Sequence, residues 1–361
     1  MKIASLETQA VDLTAAPEPI RGTPGEAIAT FVALTLRTDD GLEGIGYAGF
    51  TPPVVLPALK ATLDGLAGLT LGMDPLETEK IQAKLLFDGA YGSPAGLVTR
   101  AASAIDVALW DICGKAHSQP LWKLLGGARR RVPAYASGRL WRTESLDEMA
   151  QSAARFVEQG FTAMKLRMGA QKSLSAELER LRVVREVVGP EVDLMVDINQ
   201  GWDVDRAIAA GRAFDQDGLR WLEDPIHFED HRGMRKIADA LTTPVCAGEY
   251  SYGLATLNHL LHAGSVDVLM VDLMRAGGVT GWMKAAHMAE SFNVPVVTHL
   301  APEVMAHGAA ACANARYVEH MPWSLPLFTE PPVVENGEIV LSDKPGLGLE
   351  FDRETIARFA A

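Results

Sequence analysis

Three acidic residues recur at even intervals, each closing a short apolar run: Asp197 in LMVDIN, Glu223 in LRWLEDP and Glu249 in PVCAGEY, about 26 residues apart. A short apolar run that ends on a polar residue and gives way to a helical stretch reads as a buried strand. One strand, one helix and two turns occupy about 25 residues, the repeat of a (β/α)8 barrel, whose site residues stand at the C-terminal ends of consecutive strands. After Arg131 the runs VPAYASG, AMKLRMG, DLMVDIN, LRWLEDP, PVCAGE, DVLMVDL, VPVVTHL and ARYVEHM alternate with helical segments. Eight is the barrel count, so residues 129–325 are expected to form an α/β barrel of the (β/α)8 type.

The preceding 128 residues follow a different pattern. IASLETQAVDL and AIATFVALTLRTDDGLEGIGYAG alternate like strands, with the Asp39-Asp40-Gly41 turn joining two of them as a hairpin. From about Pro53 to Leu125 the period becomes helical and stops at Gly126-Gly127. This region is expected to be an α+β cap. Residues 326–361, with VVENGEIVL around an Asn336-Gly337 turn, are too few for a domain and are expected to return to the cap. At 361 residues the chain has room for both a barrel and a cap.

A formal charge of −13 argues against a nucleic-acid partner, which would call for a basic face. No run is long enough to span a bilayer and the N-terminus lacks the continuous apolar core of a signal peptide. The three cysteines, Cys113, Cys246 and Cys312, are scattered in apolar stretches, so a reducing cytoplasm is the expected setting.

Strand ends taken in order supply Ser137, Lys165 with Arg167, Asp197 with Asn199, Glu223, Glu249, Asp272, His299 and Glu319. Asp197, Glu223 and Glu249 converging at one barrel mouth would make an all-oxygen site, which favours Mg²⁺, or Mn²⁺, over Zn²⁺. Residues i and i+2 of a strand face the same way, so Lys165 and Arg167 both point into the mouth, where their charges suit a substrate carboxylate. Asp272 and His299 end neighbouring strands, which lets a carboxylate orient an imidazole that acts as general base.

With these residues in place, the chain resembles the enolase superfamily in its mandelate racemase subgroup. The resemblance covers nearly the whole length and rests on SAIDVALWDICGKAHSQPLWKLLGG, MVDIN, WLEDP, AGE, VDLMRAGGVTGW and PGLGLEF. It implies a modified (β/α)7β barrel with an N-terminal cap, Mg²⁺ held by Asp197, Glu223 and Glu249, an Asp272–His299 base, and Glu319 hydrogen-bonded to a developing enediolate. Lys165 matches the first lysine of the family's Lys-x-Lys motif; the second is replaced by Arg167, which stays protonated and is a poor base. One base suffices for elimination. The expected reaction is therefore α-proton abstraction and β-elimination of water from a sugar acid, with racemisation, epimerisation or cycloisomerisation as the enzymatic alternative and a catalytically silent binding barrel as the other. The family also implies a homo-oligomer, octamer or dimer.

Substrate contacts are sought in two loops of the cap, about residues 17–29 and 47–53, with Arg21, Tyr47 and Phe50 as candidates beside Ser137 and Asn199. Arg21, Arg139 and Arg167 tilt the reading toward polyhydroxy acids or diacids. Trp141, Trp202 and Trp323 follow strand ends and either line the pocket or cover the rim. The glycine-rich run Arg275 to Gly281 lacks both phosphate-loop patterns and reads as a tight turn. His227, Glu229 and His231 read as loop residues, and His259 and His262 as structural.

Overall fold

The computed structural model describes residues 1–14, 16–17, 28–89 and 95–361. Three antiparallel strands, β1 (Ile3–Asp12), β2 (Thr30–Thr38) and β3 (Glu43–Gly49), open the chain in sheet order 1-2-3. Four helices follow: α1 (Leu56–Gly68), α2 (Thr78–Asp88), α3 (Leu97–Ala116) and the single turn α4 (Leu121–Leu124). Helix α3 lies directly on β3. Side chains at positions 44 and 46 would collide with it: a Cβ on Gly44 would stand 2.2 Å from the Ala108 carbonyl oxygen, and one on Gly46 2.1 Å from that of Ala104.

The barrel strands are β4 (Arg131–Ala136), β5 (Ala163–Arg167), β6 (Asp193–Asp197), β7 (Trp221–Glu223), β8 (Val245–Ala247), β9 (Val268–Asp272), β10 (Val296–His299) and β11 (Val318–His320). They coincide with the eight apolar runs of the sequence. Neighbours pair in parallel from β4 to β10, and β11 pairs with β4. The ring closes where Thr298 N donates to the Tyr317 carbonyl (3.3 Å) and Arg316 N to that of Val296 (2.9 Å). Helices α5 (Leu146–Glu158), α6 (Leu174–Val188), α7 (Val204–Phe214), α8 (His231–Ala240), α9 (Gly253–Ala263), α10 (Leu273–Ala276), α11 (Val279–Ser291) and α12 (Pro302–Ala311) fill the crossovers. After β11 a short 3-10 turn, Leu325–Leu327, stands where the eighth crossover helix would be. The architecture is therefore (β/α)7β with a cap.

Period-two alternation sorts the inward side chains into layers. A buried apolar plug contains Tyr135, Ala163, Met195, Trp221, Cys246, Met270 and Val297. Two residues further along six of these strands stand Ser137, Lys165, Asp197, Glu223, Asp272 and His299. Pairing in register holds the polar layer level: Arg167 sits opposite Asp197, Asp197 opposite Glu223, and Asp272 opposite His299.

The chain beyond the barrel binds both units. β12 (Val334–Glu335) and β13 (Glu338–Val340) form a hairpin through Asn336 and Gly337, both at positive φ, and β13 pairs antiparallel with β4. Helix α13 (Arg353–Arg358) then brings Ala360 to β1, where it bridges Val11.

Two buried aspartates of α3 fasten these pieces together. Asp111 accepts from Ile45 N (3.0 Å), Lys115 Nζ (2.7 Å) and Leu347 N (2.8 Å). Asp106 accepts from Thr280 N (2.9 Å) and Thr280 Oγ1 (2.6 Å), capping α11 from outside its own domain. This accounts for Gly278, where a Cβ would lie 2.4 Å from the Asp106 carboxylate. The glycine-rich run is a turn filled by a side chain. Among the described residues no helix is long and apolar enough to cross a membrane, and the three cysteines are buried thiols.

Replacing Asp111 by Ala strands two buried N–H groups and is expected to cost about 2 to 4 kcal/mol. Denaturant unfolding of Asp111→Ala against wild type measures it; a loss below about 0.5 kcal/mol would remove Asp111 from this structural role.

Candidate active site

A cavity of about 420 Å³ opens at the C-terminal ends of the strands. Lys165, Arg167, Asp197, Asn199, Glu249, Asp272 and His299 line it from the barrel, and Phe50 from the cap. Arg100, Trp141, Arg142, Tyr250, Arg275 and Trp323 complete much of the wall. Three of its lining residues, Phe50, Asn199 and Leu300, have positive φ, as do Leu140, Gln200, Asp224 and Ala301 close to lining residues in the chain. Such residues cost of order 1 kcal/mol each and persist where surrounding structure dictates them.

Beneath the cavity Lys165, 1% exposed, is surrounded by carboxylates. Its Nζ lies 2.5 Å from Glu223 Oε1, 3.0 Å from Glu319 Oε1 and 3.8 Å from Asp197 Oδ2. Burial works against its charge, but Glu223 and Glu319 outweigh that and hold the ammonium well above its ordinary pKa. Lys165 is a fixed cation. Glu319 also accepts from Ser137 Oγ (2.6 Å) and Leu300 N (2.8 Å). Burial opposes its ionisation, yet Lys165, His299 and Arg167 press its pKa far below the usual range.

Arg167 donates from Nη1 to the Ser137 carbonyl (2.7 Å) and from Nη2 to Ser137 Oγ (3.1 Å). Its guanidinium lies 4.2 Å from the ring centre of Trp141, which stacks on Trp323 at 6.1 Å and 7°. On β10, His299 Nδ1 meets Asp272 Oδ2 at 2.6 Å, while Nε2 stands 3.3 Å from Glu249 Oε2. Asp272 is fixed in turn by Arg275 N (2.7 Å) and Arg275 Nη1 (3.3 Å). Burial pulls the imidazole pKa down, but Glu249, Asp272 and Glu319 raise it above its ordinary value. For Asp272, burial is outweighed by Arg275 and His299, so it remains ionised.

Several expected residues take other places. Ser137 and Glu319 lie fully buried under the cavity floor, bonded to each other and to the two cations. Tyr47 faces away from the cavity and donates its hydroxyl to Glu303, which also accepts from Ser324 (2.9 Å). Arg21 lies outside the described residues. Arg139 faces a separate small groove with Glu144, Glu148 and Arg155. Trp141 and Trp323 line the cavity; Trp202 instead lines another groove and stacks on Phe214. His320, next to Glu319, turns outward against Phe161.

One acidic residue escaped the sequence reading. Among the described residues, Glu223, Asp224 and Glu249 have carboxylate oxygens that all lie within 4.8 Å of one another, which adds Asp224 beside the expected Asp197, Glu223 and Glu249. Asp197 stands beside them, its Oδ2 3.8 Å from both Lys165 Nζ and Arg167 Nε and its Oδ1 accepting from Asn199 N (2.8 Å). Both oxygens of Asp224 are buried without a hydrogen-bond partner. A buried carboxylate with no donor is costly unless a cation meets it. Burial first, then Glu249 and Glu223, drive its pKa well above the usual range, and burial likewise lifts that of Glu223 to about 8 even against Lys165. An all-oxygen set of this sort fits a hard divalent cation, with Glu223, Asp224, Glu249 and the adjacent Asp197 as the residues able to hold it.

Fold and site define a barrel enzyme that removes a proton next to a carboxylate with a divalent cation's help. The chain belongs to the mandelate racemase / muconate lactonizing enzyme family: that family's N-terminal domain matches residues 8–126, and an enolase C-terminal domain-like region matches 148–355. It is 33% identical to L-talarate/galactarate dehydratase of Salmonella typhimurium over 92% of this chain and 83% of that protein. It is equally identical to 3,6-anhydro-alpha-L-galactonate cycloisomerase of Streptomyces coelicolor, over 98% of this chain and 99% of that one. Among solved structures, L-talarate dehydratase of Polaromonas sp. JS666, in complex with Mg and L-glucarate, superposes with a TM-score of 0.91 at 31% identity, covering all of this chain and 97% of its own.

Protons and the cation compete for the same oxygens. With folded pKa values raised, the protonated carboxyls of Glu223 and Asp224 stabilise the metal-free fold below the ordinary carboxylate range; for Glu223 this is lost as pH rises through about 8, and for Asp224 it is lost as pH rises through its own raised value. The Mg²⁺-induced rise in Tm is therefore expected to grow from pH 6 to pH 9. Asp224→Asn is expected to raise the Tm of the EDTA-treated protein and shrink the Mg²⁺ effect. A variant with wild-type Mg²⁺ response would exclude Asp224 from the cation site.

Proposed function

We propose that this protein is a Mg²⁺-dependent acid-sugar dehydratase, with His299 as the one base. The carrying observation is the contrast between its two candidate proton carriers: His299, oriented by Asp272 (2.6 Å), and the Lys165–Arg167 pair, an ammonium held by Glu223 and Glu319 beside a guanidinium bonded to Ser137. Mg²⁺, when bound, supplies positive charge to the substrate carboxylate as abstraction of its α-proton loads a second negative charge onto that group. Lys165 and Arg167 place two further cations on that side of the site. His299 Nε2 takes the proton, with Asp272 Oδ2 accepting from Nδ1–H and so fixing the tautomer. The imidazolium then returns its proton to the departing β-hydroxyl, which leaves as water; the enol tautomerises to a 2-keto acid.

Glu319 is assigned a supporting role. It lies below the floor, where Ser137 Oγ and Leu300 N donate to it and Lys165 Nζ stands 3.0 Å away. It acts through Lys165 and Ser137. The cycloisomerase reading shares every step up to departure of the leaving group, which is then a ring oxygen; the end-to-end similarity to a cycloisomerase favours keeping it second. A cytoplasmic setting and a homo-oligomer go with the reading.

His299→Asn is expected to lower both 2-keto acid formation and α-deuteration in D₂O by about 10² to 10⁴-fold, with Mg²⁺ still raising Tm. Undiminished exchange would remove the base assignment. Because His299 must be neutral to accept a proton, kcat/KM should rise with pH through a midpoint above 6.5, and Asp272→Asn should move that midpoint down. An unmoved midpoint would assign the limb to another group.

A further inference from the structure

The cations around the cavity are unequally engaged. Lys165 is held by Glu223 and Glu319, and Arg167 by Ser137 and the Trp141 ring. Arg275 is held by Asp272 and the Glu249 carbonyl, and Arg100 donates to the Gly49 carbonyl (2.8 Å) and the Tyr252 hydroxyl (3.2 Å). Arg142 differs. It lines the same cavity, is half-buried, and makes no hydrogen bond or ion pair to any described residue.

The backbone that presents Arg142 is braced on both sides. Trp141 N donates to Glu144 Oε1 (3.1 Å), and the Trp141 carbonyl accepts from Glu144 N (3.0 Å) and Arg180 Nη2 (2.9 Å). Arg180 Nη1 donates to the Glu144 carbonyl (2.7 Å). The ring of Trp141 is held between Arg167 and Trp323. Glu144, the nearest acid in sequence, accepts from Trp141 N and Ser152 Oγ (2.9 Å) rather than from Arg142. A braced turn thus offers the cavity a guanidinium with no partner among the described residues, and the guanidinium fork matches a carboxylate bidentately.

Elimination requires one substrate carboxylate at the Lys165 and cation-binding side, next to His299. An anion at Arg142 must then be a second group on the same molecule. We propose that Arg142 anchors a distal carboxylate, so that the preferred substrates are dicarboxylic sugar acids rather than the monocarboxylic acids of the same configuration. The inference rests on the dehydratase reading and narrows its substrate class.

The test pairs each hexaric and pentaric acid with the aldonic acid of the same configuration, galactarate with galactonate among them, and measures kcat and KM for wild type, Arg142→Gln and Arg142→Lys. Wild type is expected to favour the diacid at least tenfold in kcat/KM. Arg142→Gln should raise KM for the diacid roughly 10- to 100-fold, with a much smaller effect on the monoacid, as befits loss of one charge-assisted contact. Arg142→Lys should recover part of the difference. Equal losses on both acids, or a wild-type preference for the monoacid, overturn the assignment while leaving the dehydratase reading intact. Neither turnover nor α-deuteration of any acid by wild type overturns that reading and this inference together. Unchanged Tm in the variants confirms that a KM effect is not a folding effect.

Discussion

The buried ammonium of Lys165 is the interaction on which the site is built. It sits above the Tyr135 ring, between the apolar plug and the cavity, with carboxylates of β7 and β11 in direct contact and that of β6 at 3.8 Å. Six carboxylates, Asp197, Glu223, Asp224, Glu249, Asp272 and Glu319, crowd one barrel mouth, which mutual repulsion alone would not permit. Lys165, Arg167 and Arg275 divide them into local pairs. Glu223 and Asp224 remain the members burial most strongly disfavours, and the cation completes the compensation there. The metal affinity of this mouth is thus set by how incompletely the protein's own cations neutralise it.

The same division gives the site its handedness. His299 stands three strands from Lys165 around the ring, and in the proposed reaction the His299 side takes the proton. On the other side, Arg167 is stacked on Trp141 and bonded to Ser137. The strained residues around the rim place these groups: Asn199 and Leu300 each follow a strand-terminal site residue closely, and each turns the chain where an extended continuation would carry it out of the barrel.

The fold was legible because each barrel strand couples a short apolar run to an inward polar residue, and nothing but a barrel repeats that unit eight times. Alternation also explains what was missed. Asp224 adjoins Glu223, and consecutive strand residues face opposite ways; a positive φ at Asp224 itself turns its carboxylate back toward Glu249. The contact is invisible in a pattern that assumes regular backbone. Tyr47 was misplaced for the reverse reason: β3 continues regularly and delivers the ring to Glu303, a partner 256 residues away that no local pattern connects to it. Arg142 and Arg139 lie in the same turn, and only the brace from Arg180 and the Trp141 stack decides which of them meets the cavity. Tyr250 and Arg275, adjacent to or one turn beyond Glu249 and Asp272, carried a usable signal in their proximity to strand-end acids.

Asp111 has a consequence for how the chain comes into being. It lies in the cap, yet one of its three donors is Leu347, 236 residues later, and Ala360 completes the edge of the first strand. During synthesis the cap emerges first and must wait, with a buried carboxylate short of a donor and a sheet edge open, until the whole barrel has been made. Its last hydrogen bonds, from Leu347 N to Asp111 and between Ala360 and Val11, can therefore form only after the whole barrel has been made.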